Sequence, residues 1–236
     1  MEGDTLPLGA RILHQVKIHP RTRMDSHRKE LSLAMGKDKE ARPETPGGDG
    51  LLQRLLTTRT LIISGAVDSE LAQKVLQQLI LLDSDDNKDP ITVLINSPGG
   101  EVFSGFAIYD TLRYIAAPII TVVSGLAASM GSIISLAGDK GSRYALPNSK
   151  ILIHQPLMTG YQGRATDLEI QAKEILKDRE RIIELYARHT GHKAEQVARD
   201  IERDNWMSPE QAKEYGLIDH IIERRDQIQK ISGGKK

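Results

Sequence analysis

The chain has no cysteine, which excludes disulfides, thiolate catalysis and cysteine-ligated metals. It has no surplus of either charge, with Lys plus Arg at 32 and Asp plus Glu at 32. Nucleic-acid binders draw affinity from excess positive charge, so that class is disfavoured. No Gly-x-x-x-x-Gly-Lys-Ser/Thr occurs, so the chain lacks a Walker-A loop with which to hydrolyse ATP. The start, Met1-Glu2-Gly3-Asp4, is acidic and no apolar h-region follows it. That argues against a secretory signal and makes the cytoplasm the expected compartment. His14, His19 and His27 lack ligand spacing on any firm element, so no metal is expected.

One absence is deceptive. No charged residue lies between Tyr114 and Gly138, a length that suggests a membrane span. Pro118, Gly125 and Gly131 punctuate the stretch, and Ala and Ser fill much of the rest. A strand, a turn and a buried helix account for it better.

The 236 residues allow one ordinary domain with an appendage. Residues 1–50 carry basic side chains, sparse apolar residues and a closing run, Ala41 to Gly50, that reads as a linker. This arm is expected to be solvated; a segment that docks or gates within an assembly is the sharper alternative. A globular domain is expected over 51–224 and a polar, frayed tail over 225–236. Within the domain, Thr60–Ile63, Ile91–Ile95, Ile119–Val123, Arg143–Ala145 and Lys150–Ile153 read as strands. Helices are expected after a cap at Asp68, from Val102 to Tyr114, after Ser129, from a Thr166/Glu169 capping box to about His189, near Lys193 to Asp200, and from Ser208-Pro209 to Gly216. Strands alternating with helices imply an α/β fold with a mostly parallel sheet.

Gly125-Leu126-Ala127-Ala128-Ser129-Met130-Gly131 is a small-residue corner between an apolar strand and a helix. Ser129 is its hydroxyl, at a helix start where N–H groups favour developing negative charge. A serine needs a base, and His154 ends an apolar strand, where open α/β sheets place their crevice. Asp204 lies in a charged cluster before Trp206. Alone, each reads as a cap, a structural histidine and a surface carboxylate. Together they suit acyl transfer, with Ser129 as nucleophile, His154 as base and Asp204 as orienter. Oxyanion donors are available at Met130 N–H and in the Pro98-Gly99-Gly100 turn.

Gly125–Ser132, Asn96–Gly100, Gly105–Thr111, His154–Pro156, Arg203–Asn205 and Glu214–Asp219 closely resemble the signature blocks of the Clp protease proteolytic subunits (ClpP), in the family's order from about Leu51 to Ile222. The resemblance implies a crotonase-like fold of repeated ββα units with a protruding handle helix. It also implies an ATP-dependent serine endopeptidase of two stacked heptameric rings, with no cofactor of its own, fed unfolded polypeptides by an AAA+ unfoldase of the Clp type. It places nucleophile, base and acid on Ser129, His154 and Asp204, and the oxyanion donors on Gly100 and Met130. Substrate would add as a strand between Gly100, Glu101, Val102 and Phe103 on one side and Leu157, Met158 and Thr159 on the other. The Gly160–Arg164 loop with the following helix resembles the handle, and Glu202 and Arg203 the ring-to-ring contacts.

Two features depart from the family. Residues 1–50 do not match its short axial gate, and Leu94 stands where many members carry a tyrosine in the pocket that docks the unfoldase. These suggest a divergent paralogue, and a partner-dependent or non-catalytic ring subunit is the main rival. An acyl-CoA enzyme of the same superfamily is disfavoured by the serine set. A plain esterase is disfavoured by Ala127 where Gly-x-Ser-x-Gly needs glycine.

Overall fold

The computed structural model describes residues 48–157 and 163–233, all within one compact unit, Pro46–Lys236. After α1 (Gly48–Thr57), the sheet is built from β1 (Thr60–Val67), β2 (Ile91–Gly100), β3 (Ile119–Ala128), β4 (Arg143–Ala145), β5 (Lys150–Ile153), β6 (Asn205–Met207) and β7 (His220–Ile221). Its order is β1-β2-β3-β4-β7, with β5 pairing β3 and β6. All pairs are parallel except β5 with β6.

From Ile119 to Val123 β3 is buried on both faces and apolar but for Thr121, whose hydroxyl donates to Ser135 O at 2.8 Å, as expected of a central parallel strand. Its first half pairs with β4 and its second, Leu126–Ala128, with β5. Between the halves, Ile95 pairs Val123 but Ser97 pairs Ala127, so β3 carries extra residues around Gly125 and bends there. The turns expected after Ile95 and Val123 are therefore continuations of strands. β2 runs through the glycine pair, which aligns with Ala66 and Val67 of β1.

α2 (Ser69–Asp85) and α3 (Val102–Tyr114) join the main core, where Leu79, Ile108 and Leu112 meet Ile63, Val93, Ile95 and Val123. Asp68 caps α2 by accepting from Leu71 N–H at 2.8 Å. A smaller cluster, Ile120, Val122, Tyr144, Ile222 and Ile228, uses the alternate residues of β3. Arg143 and Asp219 tie β4 to the approach to β7 through an ion pair at 2.6 Å. Burial pushes Asp219 up, but the hydrogen bonds and charge of Arg143 and the Gly141 N–H outweigh it and hold its pKa below the ordinary value.

Three expectations need correction. α5 (Ala165–Thr190) starts at Arg164 with no side-chain cap. Thr166 is thus already inside the first turn, and Glu169 pairs with Lys173 at 2.8 Å instead of closing a capping box. β6 and β7 are unforeseen, being too short to show a period. The polar tail forms α8 (Asp226–Gly233), held by Ile228 in the smaller cluster and by Gln227, whose Oε1 accepts from the N–H groups of Glu223 and Arg224. By contrast, α6 (Ala194–Asp200) lies where expected, and α7 (Pro209–Tyr215) has the Ser208/Gln211 capping box and the left-handed Gly216 stop that its sequence encodes.

Candidate active site

Ser129 stands where β3 gives way to α4 (Met130–Ser135), at φ 53° and ψ −123°. Non-glycine residues seldom adopt such a conformation, which costs about 1–3 kcal/mol and persists only where its surroundings enforce it. They do so here. Ser129 N–H donates to Leu152 of β5 at 3.0 Å, and its carbonyl accepts from the N–H groups of Ser132 and Ile133 at 2.9 and 3.2 Å. The glycine pair is drawn against this corner: a Cβ on Gly99, itself at φ 87°, would lie 2.6 Å from Ala128 O and 2.7 Å from Ser129 Cβ. No side chain fits there.

His154 follows β5, and the antiparallel register Ile153↔Asn205 brings it beside Asp204. His154 Nδ1 lies 3.0 Å from Asp204 Oδ1, with side-chain exposures of 15% and 62%. A carboxylate accepts, so Nδ1 carries the proton and Nε2 of the neutral ring is left with a lone pair. Ser129 and His154 line the same cleft, of about 810 Å³. Among the described residues no hydrogen bond joins the Ser129 hydroxyl to the ring, whose recorded partner is Asp204. Such bonds are often long before substrate binds.

Gly100, Glu101, Val102 and Phe103 flank this cleft on one side and Leu157 on the other, with Phe103 and Leu157 left 73% and 69% exposed. Met158, Thr159 and the handle-loop residues 160–162 lie outside the described residues. A further cavity of about 570 Å³, beside His192, Trp206 and Tyr215, contains none of the three candidate residues.

Sequence reasoning treated α5 only as the handle and missed its part in this site. Gln171, Glu174, Ile175 and Asp178 wall the cleft; their i, i+3, i+4, i+7 spacing was the available signal. Further along, Arg179 Nε donates to Gln155 Oε1 at 3.0 Å, and Gln155 Nε2 donates to Glu202 O at 3.1 Å. Glu202 also pairs with Arg179 at 3.2 Å, whereas Arg203 is exposed. Among the described residues no group of His, Asp or Glu is arranged to hold a metal, and no helix is long and apolar enough to cross a membrane.

A parallel sheet that delivers a serine on a strained strand–helix corner into a cleft shared with a His–Asp pair has the architecture of a serine hydrolase. The family follows from comparison with known proteins. The Clp protease family model matches residues 47–225. The ATP-dependent Clp protease proteolytic subunit of Deinococcus radiodurans is 48% identical over 186 residues, covering 79% of this chain and 89% of that protein. A mutant ClpP1 from Listeria monocytogenes superposes with a TM-score of 0.70 at 44% identity, covering 75% of this chain and 99% of that one. The chain belongs to the Clp protease family and is a peptidase subunit of the serine type.

Proposed function

We propose that the chain hydrolyses peptide bonds with Ser129 as nucleophile, His154 as general base and Asp204 as orienter. Its products would be short peptides, cut from unfolded chains inside a double heptameric ring that an AAA+ unfoldase of the Clp type feeds. His154 Nε2 takes the Ser129 proton as Oγ attacks the scissile carbonyl, then returns it to the leaving amine. Asp204 holds the tautomer and stabilises the imidazolium. The oxyanion is received by Met130 N–H and Gly100 N–H. The N–H groups on either side of Gly100 are already committed, Gly99 to Ser97 Oγ at 3.1 Å and Glu101 to Val67 O at 2.7 Å. Gly100 N–H, between them, is the second donor of this reading. Substrate adds as a strand between Gly100–Phe103 and Leu157–Thr159; such backbone pairing tolerates many side chains. The chain is the peptidase and not the motor, so ATP acts through the partner. Glu202 and Arg203 make the ring contacts, and the chain divides into an arm, a domain and a tail near the expected boundaries, with α1 reaching back to Gly48 and the tail helical.

The observation that carries this reading is the His154–Asp204 bond at 3.0 Å in the cleft that Ser129 lines. Ser129→Ala tests it. Peptide turnover should fall by up to about 10⁶, with loss of fluorophosphonate labelling and an unchanged sedimentation coefficient. Residual turnover within tenfold of wild type would refute the assignment. A second reading, in which the site aligns only within an assembly that includes a paralogue, is favoured by the absent Ser129–His154 bond. Labelling of the purified chain alone would exclude it.

A further inference from the structure

Behind the nucleophile corner, a line of hydrogen bonds runs from α5 to the peptide between Ser129 and Met130. Ser132 Oγ lies 2.7 Å from the Ser129 carbonyl and 2.6 Å from Tyr186 Oη. A carbonyl cannot donate, so the single Ser132 hydroxyl proton goes to Ser129. Tyr186 is then the donor to Ser132. Both residues are sealed from solvent, at 0% and 1% exposure. Burial raises the Tyr186 pKa, against a smaller lowering by Ser132, and keeps the phenol protonated as the line requires.

The peptide at the end of this line is the one whose N–H is offered to the oxyanion. In a planar trans peptide, C=O and N–H point in opposite directions. Whatever fixes the Ser129 carbonyl therefore fixes Met130 N–H. The Ser129 ψ of −123° is the torsion about which that peptide would swing, and it sits where the backbone has no minimum of its own. Two backbone N–H groups hold the carbonyl, as at any helix start; the Ser132 hydroxyl is an added donor. Core neighbours such as Ile133, Ile134 and Leu185 have no use for buried hydroxyls, which are costly to bury unless paired. Donors in series also polarise one another, strengthening the last N–H in the line.

We propose that Ser132 and Tyr186 are positioning residues of the peptidase reaction: the relay Tyr186 to Ser132 to the Ser129 carbonyl aims and polarises Met130 N–H for the oxyanion. This rests on the reading of Ser129 and Met130 given above. It also assigns α5 a second task, because the helix that walls the cleft supplies the first donor of the relay.

The test compares Ser132→Ala, Tyr186→Phe and the double variant with wild type and Ser129→Ala, each as the assembled particle. Losing an oxyanion donor outright lowers rate about 10²–10³-fold. Disturbing its aim should lower kcat about tenfold in Ser132→Ala and less in Tyr186→Phe. KM and the pH profile should stay unchanged, and affinity for a peptide boronate should fall in step with kcat. Because Tyr186 acts through Ser132, the double variant should be no slower than Ser132→Ala, a non-additivity that independent sites do not show. Tyr186→Phe is nearly isosteric and guards against misfolding; its melting temperature is the check. Wild-type kcat in both single variants, additive losses, or a raised KM with boronate affinity intact would each overturn the relay. If Ser129→Ala stays active, the serine reading itself is refuted.

Discussion

The two sides of the cleft are built differently. The nucleophile side is part of the core: Ser129 lies between β3 and a buried helix, clasped by Gly99 and braced through Ser132 from α5. The base side is peripheral. His154 follows a strand of only 4 residues, its partner Asp204 is 62% exposed, and the backbone bond from Gln155 N–H to Ile201 O is supplemented by side-chain bonds of Gln155 that are exposed or only partly buried. One side can be wrong only if the core is wrong. The other can shift while the fold stays intact, which is consistent with a His–Asp pair that is formed while the bond to Ser129 is absent.

The comparison breaks most sharply at Asp204. Asp204→Asn should lower kcat between about 10² and 10⁴, the upper figure being typical of a buried orienting carboxylate. Exposure at Asp204 argues for less than that limit. The melting temperature should move little, since Asp204 is largely exposed and the amide oxygen of Asn can still accept from the His154 Nδ1–H. Equal loss of stability and activity would show that the base side is as embedded as the other.

Gly99→Ala attacks the nucleophile side and should do both kinds of damage. The methyl would meet Ala128 O at 2.6 Å in backbone at φ 87°. Overpacking of this kind costs typically about 1–3 kcal/mol, and the strained φ adds to it. Turnover should fall about 10²-fold or more as the corner is displaced from its oxyanion geometry, with a clear drop in melting temperature. A variant that lost activity at unchanged stability would put Ser129 on a looser support than the packing implies.

The same contrast governs what the sequence disclosed. The nucleophile corner is legible because glycines, small residues and a largely apolar run are local signals; Ser129 and Met130 are named from them, whereas Gly100 is singled out within its turn only by the family resemblance. His154 and Asp204 were legible as types and chain order, but the antiparallel β5–β6 pairing that joins them is a long-range event between strands too short for a period. α5 was read as a helix, yet its cleft-facing stripe and Tyr186 were passed over, because a polar helix with scattered apolar residues does not announce what it faces. The Thr166/Glu169 pair misled for a related reason. A capping signature is a local preference, and the chain starts its helix from an N-cap two residues earlier, at Arg164.

A pH series separates the sides again. Burial, reinforced by the charges of Arg143, Arg113 and Arg188 and opposed by Asp219, pushes the His189 imidazole down to about 4. Tyr109 Oη lies 2.8 Å from its Nε2, which ties α5 to α3 on the nucleophile side. The folded pKa lies below the unfolded value of about 6.5, so the unfolded chain takes the proton first. The stability from this group is complete above that value and is lost progressively as pH falls toward 4. Thermal melts should show the decline, and His189→Gln should flatten that part of the curve. An unchanged slope in the variant would assign the decline to other groups.

The smallest expected effect is at Gln155. Gln155→Ala removes the side-chain bonds to Arg179 and Glu202 but leaves Gln155 N–H donating to Ile201 O at 2.7 Å. The backbone that carries His154 therefore keeps its main anchor and loses only a brace. Bonds of this sort contribute about 0.5–1.5 kcal/mol net, so kcat should fall a few-fold, with Ser129 and its relay undisturbed. The discriminating measurement is the same boronate titration used for Ser132: affinity should change little, because the proposed oxyanion donors belong to the other side. If it fell in proportion to kcat, the two sides would be mechanically one unit, joined through α5, and the division between an embedded nucleophile and a peripheral base would have to be abandoned.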